Sequence, residues 1–198
     1  MPGNALIIFQ KNIEKGKVKT RLAETIGEDK ALEVFTFLVN YTYEVATGTD
    51  AQKFLFLSER VDPVKKDSCN NYIFLKQEGE NLGERMFNAF KLTFAAGFEN
   101  VIIIGTDCHL LTAEILNSAF KHLKESDYVI GPAEDGGYYL LGMKNPDKTL
   151  FENKQWSTES VFQNTLQDIT IQGKTAFLLP ILTDVDTEKD LGVLKQML

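Results

Sequence analysis

Cysteine is nearly absent from this 198-residue chain, which carries only two, Cys69 and Cys108. They form neither a C-x-x-C pair nor a disulfide framework, so a reducing compartment fits best and a cytoplasmic location is expected. Long apolar runs are also missing. No stretch is long enough to span a bilayer, and the first residues lack the basic start, apolar run and cleavage site of a secretory signal. A membrane is therefore not an expected partner. Positive charge is in deficit, with 21 Lys and Arg against 28 Asp and Glu and a net charge of -7. A general nucleic-acid binder needs a broad basic surface, so nucleic acid is not an expected partner either. Internal repeats, low-complexity stretches and Pro/Gly/Ser linkers are absent. One domain over residues 1–198 follows, long enough for a full core.

What is present is a recurrence of apolar runs of strand length: Ala5 to Phe9, Phe54 to Leu57, Tyr72 to Leu75, Val101 to Ile104, Tyr128 to Ile130 and Ala176 to Leu179. Several are continuous rather than alternating, as in strands covered on both faces. Helical spacing links Leu32, Phe35, Val39 and Thr42, and again Leu82, Met86, Ala89, Phe90 and Phe94. Thr112 is placed to cap a helix containing Ile115, Leu116, Ala119 and Leu123. Thr187 is placed to cap a last helix, with Asp190 three residues on. Gly137 to Met143 is strand-like and follows Ile130 closely through a Gly-rich turn, which suggests a mixed or antiparallel addition. The order predicts an α/β fold with a mixed, mainly parallel central sheet.

Four segments carry chemistry. Directly after the first strand, Lys11, Lys15, Lys17, Lys19 and Arg21 surround Gly16 in one short loop. Open parallel sheets bind ligands outside the carboxyl ends of their strands. A glycine there lets backbone approach phosphate, and Lys19 and Arg21 offer fixed positive charge. A solvated basic loop is the plainer alternative, but it sits oddly in an acidic chain. No Walker loop and no G-x-G-x-x-G is present. Second, Asp107 ends the very apolar run Val101 to Ile104. A carboxylate there needs a partner, and a divalent cation that also holds phosphate is a natural one; capping the next turn is the alternative. Cys108 beside it reads as buried filler, and His109 as a surface or hydrogen-bonded histidine.

Third, Glu134-Asp135-Gly136-Gly137 forms a tight turn in which Asp135 could orient an acceptor hydroxyl or act as general base; Asp-Gly is equally an ordinary hairpin signal. Fourth, in Asp184-Val185-Asp186-Thr187 the alternate residues of an extended segment point the same way, so both carboxylates can face one cation. Helix capping by Asp186 or Thr187 is the alternative.

Taken in order, the loop from Lys11 through Gly16 to Leu22, the stretch Gln77-Glu78-Gly79-Glu80-Asn81-Leu82-Gly83-Glu84-Arg85-Met86, and the segments Gly105-Thr106-Asp107-Cys108, Gly131 to Tyr138 and Asp184 to Thr187 resemble the radical-SAM/selenodomain-associated transferase family. The resemblance covers essentially the whole chain. It implies a glycosyltransferase-A, nucleotide-diphospho-sugar transferase-like three-layer sandwich. It implies that the first loop holds nucleotide phosphates and that Asp107 is the metal aspartate, with Asp184 and Asp186 beside it. Gln77, Gly79, Gly83 and Arg85 would line the nucleotide pocket, the glycines permitting close approach and the arginine offering a cation. The chain departs from the family in having Asn12-Ile13 where proline follows the first lysine, and His109 where proline follows Asp-Cys.

The combined expectation is a transferase dependent on Mg2+ or Mn2+. It would take a nucleotide or nucleotide-sugar donor and a small-molecule acceptor, with Lys19, Arg21, Asp107 and Asp135 carrying the reaction. Nucleotidyl transfer and glycosyl transfer both fit, a nucleotide-binding regulatory module without turnover is the rival, and a homodimer is compatible with the sequence.

Overall fold

A computed structural model describes residues 3–61 and 71–197; Cys69 lies outside the described residues. The elements are β1 (Gly3–Gln10), α1 (Thr20–Ile26), α2 (Glu28–Thr47), β2 (Gln52–Leu57), β3 (Tyr72–Lys76), α3 (Leu82–Ala95), β4 (Phe98–Ile104), α4 (Ala113–Leu123), β5 (Tyr128–Pro132), β6 (Tyr138–Met143), α5 (Val161–Ile171) and β7 (Ala176–Leu178). Short 3-10 turns cover Lys148–Phe151 and Glu188–Met197.

The strands form one sheet in the order β3-β2-β1-β4-β6-β5-β7. Neighbours pair in parallel except at β6, which runs antiparallel to both β4 and β5. The sequence expectation of a mixed, mainly parallel sheet therefore holds, and Gly137 to Met143 supplies the reversed strand. Strand order turns back between β1 and β4. That is the switch point where open α/β sheets form a crevice beyond their strand ends.

The continuous apolar runs are explained by the layers. Leu6, Ile8, Ile102 and Ile104 pack with Ala46 of α2 and Leu116, Ala119 and Leu123 of α4 on one face. Ala5, Ile7, Val101 and Ile103 pack with Met86, Ala89 and Phe90 of α3 and Ile169 of α5 on the other. Side chains alternate across a strand, so a strand covered on both faces must be apolar at every position. Among the described residues, no helix is long and apolar enough to cross a membrane.

Capping follows the sequence at Thr112, and the structure adds a cap at Asn81. The Thr112 hydroxyl accepts from the Ile115 N–H at α4, and the Asn81 side chain accepts from the Glu84 N–H at α3. Two expectations are corrected. Thr20 begins a seven-residue helix, so the basic segment is a loop only as far as Lys19. The last helix is a 3-10 segment broken at Gly192. Its start is fixed by Asp190, whose carboxylate accepts the N–H groups of Asp186 and Thr187 and the Thr187 hydroxyl; Thr187 is the donor. The first N–H groups of a helical turn have no acceptor within it, and the Asp190 carboxylate reaching back satisfies two of them.

Candidate active site at the switch point

A cleft of about 560 Å³ lies over the carboxyl ends of β1 and β4 and the start of β6. Three backbone hydrogen bonds bring the distant C-terminal segment across it. Leu179 N–H donates to the Ile130 carbonyl, Leu182 N–H to Pro132, and Val185 N–H to Asp107. This pinning turns Val185 into the interior, fully buried, and leaves Asp184 and Asp186 on the cleft. The alternation read in the sequence is thereby realised.

Lys19 is the centre of the site. Its side chain is 4% exposed, and its Nζ lies 2.5 Å from Asp107 Oδ1 and 3.1 Å from Asp186 Oδ1. Burial works against its charge, but Asp107 and Asp186 outweigh that cost and raise its pKa. Its backbone is left-handed, at φ 47°. That conformation disfavours a residue with a Cβ, and its strain is offset only by what surrounds it. The turn into α1 aims the ammonium inward. Arg21, two residues further on in the first turn of α1, is mostly exposed, with Nη1 3.8 Å from Asp186 Oδ2.

Asp184 has a different environment. Burial first, then the charges of Asp107 and Asp135, push its carboxyl up to about 7 despite the opposing pull of Lys19. Asp135 faces the same cleft, and its Oδ1 accepts the Gly137 N–H at 2.9 Å. That contact is the tight turn foreseen in the sequence, so the hairpin and cleft readings both apply.

The remaining expected residues divide. Lys11 and Arg85 line the cleft, and Arg85 is steadied by its Nε donating to the Gly79 carbonyl. Gln77 lines it from beneath, where its Nε2 donates to the Phe56 and Gln10 carbonyls and ties the ends of β1 and β2. Gly16, Gly79 and Gly83 do not line it. Gly79, at φ 142°, makes room for the start of α3, where an added Cβ would meet Arg85 N at 2.8 Å. A Cβ on Gly83 would meet the Phe151 carbonyl at 2.6 Å and Trp156 Nε1 at 2.7 Å. These glycines permit chain to approach chain rather than ligand. At the loop tip, Lys15 pairs with Asp29, and Lys17 with Glu14 and Glu59, so their charges are neutralised locally.

Cys108 is buried filler as expected; burial drives its thiol up to about 12, too high for a nucleophile. His109, in the family's proline position, stands outside the cleft lining, and burial lowers its pKa. Trp156, Ser157 and Thr158 line the cleft and were not anticipated. The available signal was a lone tryptophan in an otherwise polar stretch.

Among the described residues, no three His, Cys, Asp or Glu side chains converge closely enough to hold a metal by themselves. The expected set of Asp107, Asp184 and Asp186 is thus not a closed site, because the Lys19 ammonium sits between Asp107 and Asp186. The donor set still fits a partly built one. Four carboxylates share the cleft with one buried ammonium, and Asp184 has no hydrogen-bond or ion-pair partner among the described residues. Magnesium sites commonly take one or two carboxylates and complete their shell with water and substrate phosphate.

Comparison with known proteins bears on this arrangement. Residues 41–158, more than half of the chain, match the model of a family described as "Uncharacterized protein conserved in bacteria (DUF2064)". No curated protein matches the sequence. Among solved structures, a protein of Desulfovibrio desulfuricans G20, provisionally named a nucleotide-diphospho-sugar transferase, is 30% identical with a TM-score of 0.91. That match covers 100% of this chain and 88% of that one. The inositol-1-phosphate CTP transferase of T. maritima is 17% identical at a TM-score of 0.66, covering 100% and 96%. Rv0371C of Mycobacterium tuberculosis H37Rv, solved in complex with manganese, is 11% identical at 0.58, covering 99% and 100%. These likenesses show the nucleotide-diphospho-sugar transferase fold.

Proposed function

From the premise that this chain belongs to the bacterial DUF2064 family and has a nucleotide-diphospho-sugar transferase fold, we propose that it is a transferase acting on a nucleotide donor. The observation that carries this reading is the meeting of Lys19, Asp107, Asp184 and Asp186 over the β1–β4 switch point. The motif order supports placing it, within that superfamily, with the radical-SAM/selenodomain-associated transferases.

In this reading the donor's phosphates lie against Lys11, Arg21 and Arg85. Lys19 presents a charge already fixed in direction, so little reorganisation is needed when phosphate oxygens gain negative charge. Asp107, Asp184 and Asp186 would hold Mg2+ or Mn2+. The ion, when bound, supplies Lewis acidity at a phosphate oxygen. Where the acceptor is a hydroxyl, Asp135 takes its proton. Two transfers remain compatible. In nucleotidyl transfer an acceptor oxygen bonds to the α-phosphorus and pyrophosphate leaves. In glycosyl transfer an acceptor hydroxyl bonds to the sugar carbon and a nucleoside diphosphate leaves. A small-molecule acceptor and a cytoplasmic setting belong to the same proposal.

The test has two steps. A thermal-shift screen of nucleoside triphosphates and nucleotide sugars, with and without magnesium, identifies the donor, because a ligand that binds only the native state raises its stability. Product analysis with that donor and candidate acceptors then looks for pyrophosphate or nucleoside diphosphate. A donor that binds but gives no product with any acceptor would make the chain a regulatory module instead.

A further inference from the structure

A second recess, of about 280 Å³, adjoins the cleft on the β2 side of β1. Lys11, Ser58 and Arg85 line both spaces, so the two are joined. The sheet fixes their place, because β2 and β4 flank β1 on opposite sides. Gln10 pairs with Leu57, and the next residues, Lys11 and Ser58, stand together beyond the ends of β1 and β2. Asp107 follows β4 instead, and none of Asp107, Asp135, Asp184 and Asp186 lines the recess. Asn12 builds its wall. The Asn12 N–H donates to Ser58 Oγ at 3.1 Å and its Nδ2 to the Arg60 carbonyl at 2.9 Å, while its Oδ1 accepts the Glu59 N–H at 2.9 Å. Lys17, Arg60, Glu14 and Glu59 pair with one another, so their charges cancel. Lys11 and Arg85 have no carboxylate partner among the described residues. Arg85 uses Nε for the Gly79 carbonyl at 3.0 Å, which leaves both terminal nitrogens for a ligand.

From this geometry we infer that the recess is a subsite for the terminal phosphate of the donor, and that the donor is a nucleoside triphosphate. The inference rests on the transferase reading and selects nucleotidyl transfer within it. Two unpaired cations in a concave site attract a terminal phosphate, and a guanidinium offers it paired donors. A nucleotide sugar holds both phosphates between nucleoside and sugar, at or next to the bond that breaks. Neither then extends away from the acids of the cleft. A triphosphate carries two phosphates beyond the reacting α-phosphorus, and the outer one reaches across β1 to Lys11 and Arg85. In the reaction an acceptor oxygen bonds to the α-phosphorus, the bond from that phosphorus to the bridging oxygen breaks, and pyrophosphate leaves with the electron pair. A hydroxyl acceptor gives its proton to Asp135. Asn12 is a positioning residue, since its polar atoms are taken up in holding the 58–60 segment beside Lys11.

The experiment is a calorimetric titration of the full-length protein, in magnesium, with ATP, CTP, GTP and UTP and with their diphosphates. At least one triphosphate should bind about tenfold tighter than its own diphosphate. Lys11→Gln should abolish that gap while the diphosphate's affinity holds within about twofold, and Lys11→Arg should restore it. Lys11 is exposed, so Lys11→Gln should melt with the wild type. Asn12→Ala, which leaves both cations in place, should narrow the gap as well; a lower melting temperature with the gap intact would make Asn12 structural only. A diphosphate that binds as tightly as its triphosphate would overturn the inference, and so would a gap unchanged in Lys11→Gln. Tighter binding of UDP-glucose or GDP-mannose than of the matching triphosphate would overturn it too. If no nucleotide of any kind binds, the transferase reading itself fails. If diphosphates bind with magnesium and triphosphates gain nothing, that reading stands and only the terminal-phosphate subsite falls.

Discussion

The Lys19 ammonium lies 2.5 Å from the Asp107 carboxylate, joining the loop after the first strand to the end of the fourth. The contact spans the point where strand order reverses, and there the buried ammonium is neutralised by the carboxylate. A second bond from Lys19 to Asp186, 167 residues away in sequence, fastens the C-terminal segment to the same point.

Lys19→Met should therefore cost stability as well as nucleotide affinity. A fully buried pair that loses one member costs several kcal/mol. Asp107 and Asp186 are 44% and 45% exposed, so water screens part of the loss and about 1–2 kcal/mol is expected. Chemical denaturation measures it, and an unchanged midpoint would show that the ammonium is not the link between these segments.

Arg21→Ala should behave in the opposite way. Its side chain is 68% exposed and only loosely paired with Asp186, so the melting temperature should hold. Nucleotide affinity should fall about tenfold, the size of one lost charge-assisted hydrogen bond. Arg21→Lys should recover part of it if the contact is not bidentate. Calorimetric titration of the donor gives both values, and wild-type affinity in Arg21→Ala would remove it from the phosphate site.

Asp184→Asn separates repulsion from metal binding. Removing one of several facing carboxylates should leave the metal-free protein at least as stable as wild type. The same variant should gain less melting temperature from magnesium plus donor nucleotide. Equal gains in both proteins would take Asp184 out of the cation site.

A second polar cluster governs the acid limit. Burial disfavours the charged Asp147 carboxylate, but hydrogen bonds from Thr149, Tyr128, Gln172 and Lys174 outweigh it and hold the group well below the usual carboxylate range. A depressed acid stabilises the fold above its unfolded pKa, near 4, and that contribution is lost as pH falls toward the folded value. At the alkaline end, burial and then Asp147 raise Tyr128 to about 12. Its contribution is present below the unfolded tyrosine pKa, near 10, and fades as pH rises through 12. Asp147→Asn should cost about 1–3 kcal/mol at neutral pH and flatten the acid arm of a stability-against-pH curve. An acid arm identical to wild type would assign that limit elsewhere.

Gly83→Ala tests the seat of Trp156. The new methyl would press on the Phe151 carbonyl and the indole nitrogen, so a loss of about 1–3 kcal/mol is expected from overpacking. The tryptophan emission should move with it. A stable variant with unchanged emission would mean that the indole is not held by this contact.

The sequence by itself determined the layers. Uninterrupted apolar runs such as Val101 to Ile104, too short for helices and rich in β-branched residues, read as strands covered on both sides, and the cap at Thr112 depends on local chemistry alone. The acids of the site were legible for the same reason. Asp107 follows an apolar strand directly, and Asp184 and Asp186 alternate about an apolar Val185. Tertiary structure decided what those groups meet. Periodicity reports which side chains leave water, but not which strand ends become neighbours. Only the β1–β4 pairing, together with the C-terminal segment pinned by Val185 to Asp107, placed Lys19 between two aspartates. Only the packing of α3 against the 148–156 segment turned Gly83 toward protein and brought a lone tryptophan to the cleft wall. Those contacts join residues far apart in sequence, and no local pattern encodes the distance between them.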